Sequence, residues 1–290
     1  GLVAFASSLD QIGVFARSVE DAAIVAEVIA GFDPKDSTSV DITDPDLTSL
    51  LHEPLHSIKI GVPNDFLSDR NDPEVNDAIK RAIKIYEDLG ATIVAIDLPL
   101  TDLGISTYYV LAPAEASSNL ARYDGIRYGH RTKKTDVDLF DLYAFSRSEG
   151  FGDEVKRRIM IGTYVLSSGY YEAYYNNALK IRRLISEEYA KAFEKCDVIL
   201  GPTTPTPAFK IGAKVDPMSM YLCDFYTTNT NIAGICGVSI PCGFANNSGK
   251  PLPIGMHLQG PAFSDAKLLQ IAHAFEQATD FHLQHPEFTS

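Results

Sequence analysis

The chain has 290 residues and a formal net charge of −13 at pH 7, and 45% of its residues are hydrophobic. This composition is typical of a water-soluble protein with a sizeable core, and the negative charge argues against strong binding of nucleic acid by the chain alone, because the summed field repels polyanions. The sequence contains neither an apolar run long enough for a membrane helix nor a recognisable signal peptide, so we expect a cytoplasmic location.

The first elements predict one helix followed by a strand, helix, strand unit. Ser18-Val-Glu-Asp21 has the form of a capping box, and the apolar residues after it recur at helical spacing until Gly31, which predicts one buried helix. A long surface connection leads to a strand at residues 58–62, a helix at 72–90 that an Asp-Pro pair opens, and a strand at 92–96. This order indicates a βαβ unit.

The later elements alternate helices with buried strands. The stretch 106–149 is rich in Tyr, Ser and Asn, and it includes a helix candidate at 115–128. A longer helical stretch at 153–193 carries a cluster of tyrosines, which we expect in the core or at a partner interface. Further strands are predicted at 197–200, 238–240 and 254–258, and a final helix at 265–277.

The cysteines and histidines form no pattern typical of a metal site or a disulfide framework. The four cysteines include no C-x-x-C pair, and the seven histidines include no H-x-x-x-H motif on a helical pattern. We therefore expect reduced, mostly buried thiols and no bound metal ion.

Several motifs along the chain follow one order, and together they resemble the amidase-signature family. They lie at residues 1–13, 17–23, 197–207, 231–234, 238–243, 253–255 and 258–260. Three more, at 117–125, 146–152 and 155–159, are similar to the branch of glutaminase subunits in tRNA-dependent amidotransferases. Val14 departs from the pattern, since the family usually has proline there.

The resemblance implies an α/β amidase-signature fold with a mixed central sheet flanked by helices, incomplete in this chain. Residues 1–290 would then be the carboxy-terminal part of a single domain. In the family a serine nucleophile, a bridging serine and a lysine base lie upstream of such a segment. The chain has three Ser-Ser pairs, none in a glycine-rich loop, and no G-x-S-x-G motif. We therefore expect no catalytic residue in this chain and no activity of the chain alone.

The resemblance also implies a function for the whole protein, which is to hydrolyse glutamine and supply ammonia for the amidation of Glu-tRNA(Gln). The implied partners are the B and C subunits of the amidotransferase. ATP and Mg would be used by the B subunit, which would also bind the tRNA, and no cofactor would be bound by this chain. Whether Glu-tRNA, Asp-tRNA or both are used is left open. The alternatives are a stand-alone hydrolase of small amides and an inactive portion that only makes contacts with other subunits.

A pocket for free glutamine needs a carboxylate for the substrate α-ammonium and a cation for its α-carboxylate, because each charge loses water on entry. The resemblance implies Asp224 for the first role and Arg158 for the second. The adjacent Arg157 points about 100° away around a helix, so a shift of one residue would exchange the two arginines. Tyr108 or Tyr109 matches a pocket tyrosine of the family, and either can equally be a core residue.

Two residues near the start of the chain are further candidates for lining the cleft. They are Asp10 and Gln11, for which structural support of a strand end is the favoured role. His257 lies in an apolar strand, where a hydrogen-bonded core histidine is favoured over a catalytic one.

Overall fold

The computed structural model describes residues 3–42, 46–213, 220–246 and 250–284. The chain folds as two compact units, unit 1 from residues 1–11 and 106–182 and unit 2 from residues 12–105 and 183–290. The single domain expected from the sequence stays a prediction, because two compact units occur within one domain as well as in separate domains. Among the described helices, none is long and apolar enough to cross a membrane.

Unit 2 is built on a mixed sheet, as the resemblance implied. The strands are β1 (Lys59–Pro63), β2 (Thr92–Ile96), β3 (Val198–Pro202), β4 (Cys236–Ala245) and β5 (Leu252–Gly260), and within the described ranges their order is β2-β1-β3-β5-β4. β1 is parallel to β2 and β3, whereas β5 is antiparallel to β3 and β4. The predicted βαβ unit is therefore confirmed.

The helices occupy both units. They are α1 (Val19–Ile29), α2 (Pro73–Asp88), α3 (Gly104–Asn119), α4 (Leu139–Gly150), α5 (Asp153–Val165), α6 (Asn177–Phe193), α7 (Thr228–Ala233) and α8 (Asp265–Gln277). Short 3-10 turns lie at Asn64–Leu67, Thr101–Leu103, Leu120–Arg122, Leu222–Asp224 and Phe281–Leu283. A π-helix, Tyr171–Asn176, directly precedes α6.

Local side chains explain where two of the helices begin. The Ser18 hydroxyl accepts a hydrogen bond of 3.1 Å from the Asp21 N–H at the start of α1. Asp72 caps α2 by accepting from the Glu74 N–H at 2.9 Å, and a proline occupies the first turn. These caps satisfy N–H groups that have no partner within the helix.

The core of unit 2 lies between the sheet and the two helices α2 and α8. Tyr86 and Phe275 are fully buried there with ring centroids 5.4 Å apart, and the Tyr86 hydroxyl donates to the Ile271 carbonyl at 3.0 Å. Every residue of β3 is buried, and the strand lies in the middle of the sheet between β1 and β5. Two cysteines, Cys196 and Cys242, are buried as well, and the other two are half-buried.

The expectation that α1 is a buried helix is wrong. Only Val19 and Ala23 are buried in it. The opposite side carries exposed Ile24, Val25, Val28 and Ile29. Apolar residues occur around the whole helix, and only a narrow stripe of them meets the core, so the helical period alone overestimated its burial.

Unit 1 contains two departures from the predicted helices. The candidate at 115–128 is helical only to Asn119, where a 3-10 turn begins, and Gly125 follows with φ of +74°. The stretch at 153–193 is interrupted near Gly169, whose φ of +89° is incompatible with a continuing right-handed helix. The tyrosine cluster that follows is largely exposed, with Tyr170, Tyr171 and Tyr174 each more than two fifths accessible, which excludes the core for these three.

Candidate functional site

Unit 1 contains a close approach between α3 and α5. A Cβ atom on Gly162 would lie deep inside van der Waals contact of the Pro113 carbonyl oxygen, and its next neighbour would be the Ser117 hydroxyl. Only glycine therefore allows the backbone of α5 to come this near to α3. One turn before Gly162, α5 carries Arg158, so the same approach brings that side chain to α3.

Arg158 meets a pair of tyrosines on α3. Its Nη1 donates a hydrogen bond of 3.1 Å to the Tyr108 hydroxyl, and its Cζ lies 5.9 Å from the centre of the Tyr108 ring and 5.5 Å from that of Tyr109. The two rings contact each other edge to face, with centroids 5.0 Å apart. On the same helix as Arg158, the Glu154 carboxylate accepts from its Nε at 3.0 Å.

The guanidinium of Arg158 is held charged and partly desolvated. Burial alone would lower the pKa of Arg158, whereas the hydrogen bonds to Tyr108 and Glu154 raise it, and the net direction is upward. A guanidinium has five N–H donors, and these two bonds use one each on Nε and Nη1, which leaves three. Within the described residues Nη2 has no hydrogen-bond partner, so the guanidinium keeps N–H donors for a further acceptor such as a carboxylate.

The neighbouring arginine has a different environment. Arg157 also binds Glu154, but half of its side chain is exposed, against 18% for Arg158. Of the two arginines, Arg158 is the one with described contacts to the tyrosine pair. The environment of Arg158 thus suits the role that the resemblance implies for it, and the role itself stays a prediction.

Asp224 lies in unit 2, at the end of the 3-10 turn Leu222–Asp224. The residue is exposed, and its carbonyl accepts a bond of 3.3 Å from the Thr227 hydroxyl. The two residues after it, Phe225 and Tyr226, are buried. The sequence therefore holds an exposed carboxylate directly beside two aromatic anchors.

These anchors are fixed by the turn that connects β1 to α2. The Tyr226 hydroxyl donates to Asn71 Oδ1 at 2.6 Å, and its ring packs edge to face on Phe66 at 4.9 Å. The Arg70 guanidinium lies over the Phe225 ring, 3.9 Å from its centre. Arg70 also forms an ion pair of 3.0 Å with Asp102.

Asp10 is engaged with its own loop. Its carboxylate accepts from the N–H groups of Phe5 at 2.7 Å and Ala6 at 3.1 Å. These bonds close a short turn, and the described residues 3–11 contain no strand, so the strand end that the sequence favoured for Asp10 to support is not found there. Gln11 is exposed at the end of this segment. A role of either residue in lining the cleft stays a prediction.

The Ser-Ser pair at residues 7–8 belongs to a hydrogen-bond network. The Ser8 hydroxyl donates to Glu115 at 2.5 Å and accepts from Arg182 at 2.7 Å, and the Ser8 N–H also bonds to Glu115 at 2.9 Å. Asn119 donates to the carbonyl of Phe5 at 3.1 Å. These contacts attach the first residues of unit 1 to α3.

Glu154 and Arg70 were not identified as contributors from the sequence. Glu154 could have been found, because a glutamate four residues before an arginine on a helix is a local signal. The contact of Arg70 with Phe225 joins distant parts of the chain and has no local signal.

His257 is buried in β5, and burial lowers its pKa to about 4, so it is neutral near pH 7. Among the described residues, no group of three His, Cys, Asp or Glu side chains is arranged to hold a metal ion.

Comparison with known proteins agrees with this architecture. A family model described as Amidase matches residues 1–269. The A subunit of the glutamyl-tRNA(Gln) amidotransferase of Thermoanaerobacter pseudethanolicus is 55% identical over 97% of this chain and 57% of its own length. The crystal structure of the Thermotoga maritima protein of the same name superposes with a TM-score of 0.75 at 42% identity, over 96% of this chain and 54% of that one.

A more distant solved structure shares the same fold. The native peptide amidase from Stenotrophomonas maltophilia superposes with a TM-score of 0.70 at 26% identity, over 96% of this chain and 55% of that one. The chain thus spans a little more than half the length of the relatives it matches. The family model covers most of the chain, and the mixed sheet with its flanking helices is shared with solved members. The chain belongs to the amidase family.

Proposed function

We propose that this chain is part of a glutaminase subunit that hydrolyses glutamine and supplies ammonia to a tRNA-dependent amidotransferase. The observation that carries the proposal is Arg158, a half-buried cation with unused N–H donors beside Tyr108 and Tyr109. A guanidinium in this state suits the α-carboxylate of an amino acid. The name of the relatives at 55% identity supports the choice of glutamine and tRNA chemistry over other amides.

In this proposal Arg158 binds the substrate α-carboxylate and Asp224 binds its α-ammonium. Tyr108 holds the guanidinium through its hydroxyl, and Tyr109 packs beside it. The ammonia would be transferred to Glu-tRNA(Gln) in the cytoplasm by the partner B subunit with ATP and Mg, in an assembly that also contains the C subunit. A serine nucleophile would come from a part of the protein outside residues 1–290, so the chain alone is expected to be inactive.

The test is amidation of Glu-tRNA(Gln) by the assembled amidotransferase, with glutamine and with ammonium as nitrogen donors in turn. Asp224→Asn removes a charge-assisted hydrogen bond to the substrate ammonium. The loss is about 1.5 to 3 kcal/mol, or roughly 10- to 150-fold in kcat/KM for glutamine. Use of ammonium should be unchanged, since ammonium needs no amino-acid pocket. Equal impairment of both donors would make Asp224 a structural residue.

The two adjacent arginines provide a matched pair for the second half of the test. Arg158→Lys keeps the charge but loses the planar two-point grip, so glutamine use should fall by a similar factor. Arg157→Lys changes an exposed side chain that pairs with the same carboxylate, that of Glu154, and it should leave glutamine use almost unchanged. The reverse pattern would mean that Arg157 binds the substrate and that the assignment is displaced by one residue.

A stand-alone amidase acting on other small amides is the second candidate, because the solved peptide amidase has the same fold. Such an enzyme would not need recognition of both charges of a free amino acid. Glutamine and an amide lacking the α-ammonium and α-carboxylate distinguish the two proposals. A preference for glutamine that disappears in Arg158→Lys supports the glutaminase, and equal rates on both amides support the second candidate.

A further inference from the structure

The turn that carries Asp224 contacts an arginine that is not among the residues the family resemblance implies. Arg70 follows the 3-10 turn Asn64–Leu67 in unit 2, and its guanidinium stacks 3.9 Å above the ring of Phe225. Phe225 is 5% exposed and adjoins Asp224 in the chain. A contact that fixes the Phe225 ring therefore also fixes the backbone from which the Asp224 carboxylate projects.

Arg70 is itself held in place by a second contact. Its Nη1 forms a 3.0 Å ion pair with Asp102 Oδ1, in the 3-10 turn Thr101–Leu103. The same turn supports the residues after Asp224, because Asn229 donates to the Thr101 carbonyl at 3.2 Å and to the Phe225 carbonyl at 3.4 Å. The aromatic anchor thus has a guanidinium on its ring and an amide on its carbonyl.

We propose that Arg70 is a positioning residue for glutamine recognition, which orients Asp224 by stacking on Phe225. This inference rests on the proposed function, in which Asp224 binds the substrate ammonium. Arg70 does not need to touch substrate in this role. Its contribution should appear in the binding of glutamine and not in the use of free ammonium.

The first experiment measures KM and kcat of the assembled amidotransferase for both nitrogen donors. The free energy of a cation stacked on an aromatic ring corresponds to about a 3- to 10-fold change in an equilibrium constant. Arg70→Ala should therefore raise KM for glutamine by about that factor. We expect kcat to change less than about twofold and KM for ammonium to stay the same, because the change affects binding alone. Arg70→Lys should fall between the wild type and Arg70→Ala, since lysine keeps the charge but loses the flat stack.

A matched control is Arg183→Ala, which removes an arginine that is 82% exposed and ion-paired with Glu187 on α6. It should leave every parameter unchanged. If Arg70→Ala behaves like Arg183→Ala, or impairs both donors equally, the positioning role is wrong.

A second measurement needs no activity. The Cys223 thiol is half-buried and precedes Asp224, so its alkylation by iodoacetamide, followed by mass spectrometry of the peptide, reports how often the turn opens. Arg70→Ala should speed this labelling by about 3- to 10-fold, because a lost anchor increases local opening. Unchanged labelling would overturn the inference. Should Asp224→Asn fail to distinguish the donors, the proposed function falls, while faster labelling would still uphold the anchoring of the turn by Arg70.

Discussion

The orientation of Arg158, which we propose binds the substrate α-carboxylate, depends on the hydroxyl group of Tyr108. Tyr108→Phe keeps the ring and removes the acceptor of the 3.1 Å bond from Arg158. The guanidinium should then lose part of its orientation, at a cost of about 1 kcal/mol, or roughly fivefold in kcat/KM for glutamine. The measurement is glutamine-dependent amidation with ammonium as the reference donor.

The control for this substitution is Tyr128→Phe, which removes the hydroxyl of a tyrosine that is 46% exposed. It should have no effect on either donor. An equal loss in the two variants would show that removing a tyrosine hydroxyl from unit 1 has a general cost unrelated to Arg158.

His257 makes the stability of the protein depend on pH. Burial lowers the pKa of His257 to about 4, below the ordinary 6.5, so the folded state keeps this side chain neutral while the unfolded state protonates it. The contribution of His257 to the free energy of unfolding is therefore fully present above pH 6.5 and is lost as the pH falls from 6.5 to 4. The loss is roughly 3 kcal/mol for a fully buried group. In His257→Gln, the melting temperature should fall less steeply over this interval.

His56→Gln serves as the reference, since His56 is exposed. Its melting temperature should follow the wild type across the same pH range. A parallel decline in all three proteins would assign the acid sensitivity to groups other than His257.

At the scale of the element, Gly162 determines how α5 meets α3. A methyl group at this position cannot fit against the Pro113 carbonyl without a shift of one helix. Gly162→Ala should therefore destabilise the protein by about 1 to 3 kcal/mol, as overpacked substitutions do. Because Arg158 is on the same helix, KM for glutamine should rise in the folded fraction as well. Thermal unfolding and steady-state kinetics measure the two effects.

Gly152→Ser is the matched control, because a Cβ there meets nothing within 4 Å. Gly152 is the N-cap of α5 with φ of −68°, where serine is a favoured capping residue. This variant should be neutral or slightly more stable. Destabilisation of both variants by the same amount would mean that the close approach to Pro113 is not responsible.

Elements with strong local signals could be predicted from the sequence. The boundaries of β2 and α8 agree with the predicted ranges to the residue, and the start of α2 was marked by Asp72 and its following proline. The helix predicted at 115–128 failed because its continuation depends on contacts of Asn119 with residues far away in the chain, such as the Phe5 carbonyl. Burial of α1 failed for the same reason, since helical period says nothing about which side meets another element.

The candidate site was predictable only in part. The resemblance assigned Arg158 and Asp224, and the side-chain environments distinguish Arg158 from Arg157. The stacking of Arg70 on Phe225 could not be predicted, because the two residues are neighbours only after the sheet has formed. Family motifs thus supply candidates for substrate binding, and tertiary packing decides which side chains support them.

At the scale of the whole molecule, we expect the exposed apolar side of α1 to promote self-association. Ile24, Val25, Val28 and Ile29 lie 45% to 81% exposed on one short helix. Apolar surface of this kind favours association in water. Val28→Lys should reduce the oligomer fraction of the isolated chain in light scattering, with little change in melting temperature, because exposed substitutions cost about 0.5 kcal/mol or less.

A change in net charge alone could give the same result, since the chain carries −13. Ala190→Lys adds the same charge at an exposed position of α6 and controls for this effect. If both variants reduce the oligomer fraction equally, charge and not the α1 surface governs association.

The π-helix at Tyr171–Asn176 gives this part of the chain an unusual tolerance to a change in length. A π turn contains one residue more than the α turn it replaces, so it behaves as a one-residue insertion absorbed within a helix. Deletion of Tyr174 would let the segment join α6 as one regular helix, while the buried Ile185 and Tyr189 of α6 keep their positions. The tyrosines before the deletion would rotate by about 100° around the axis. A relative shorter by one residue here would present a different aromatic surface on an otherwise unchanged scaffold.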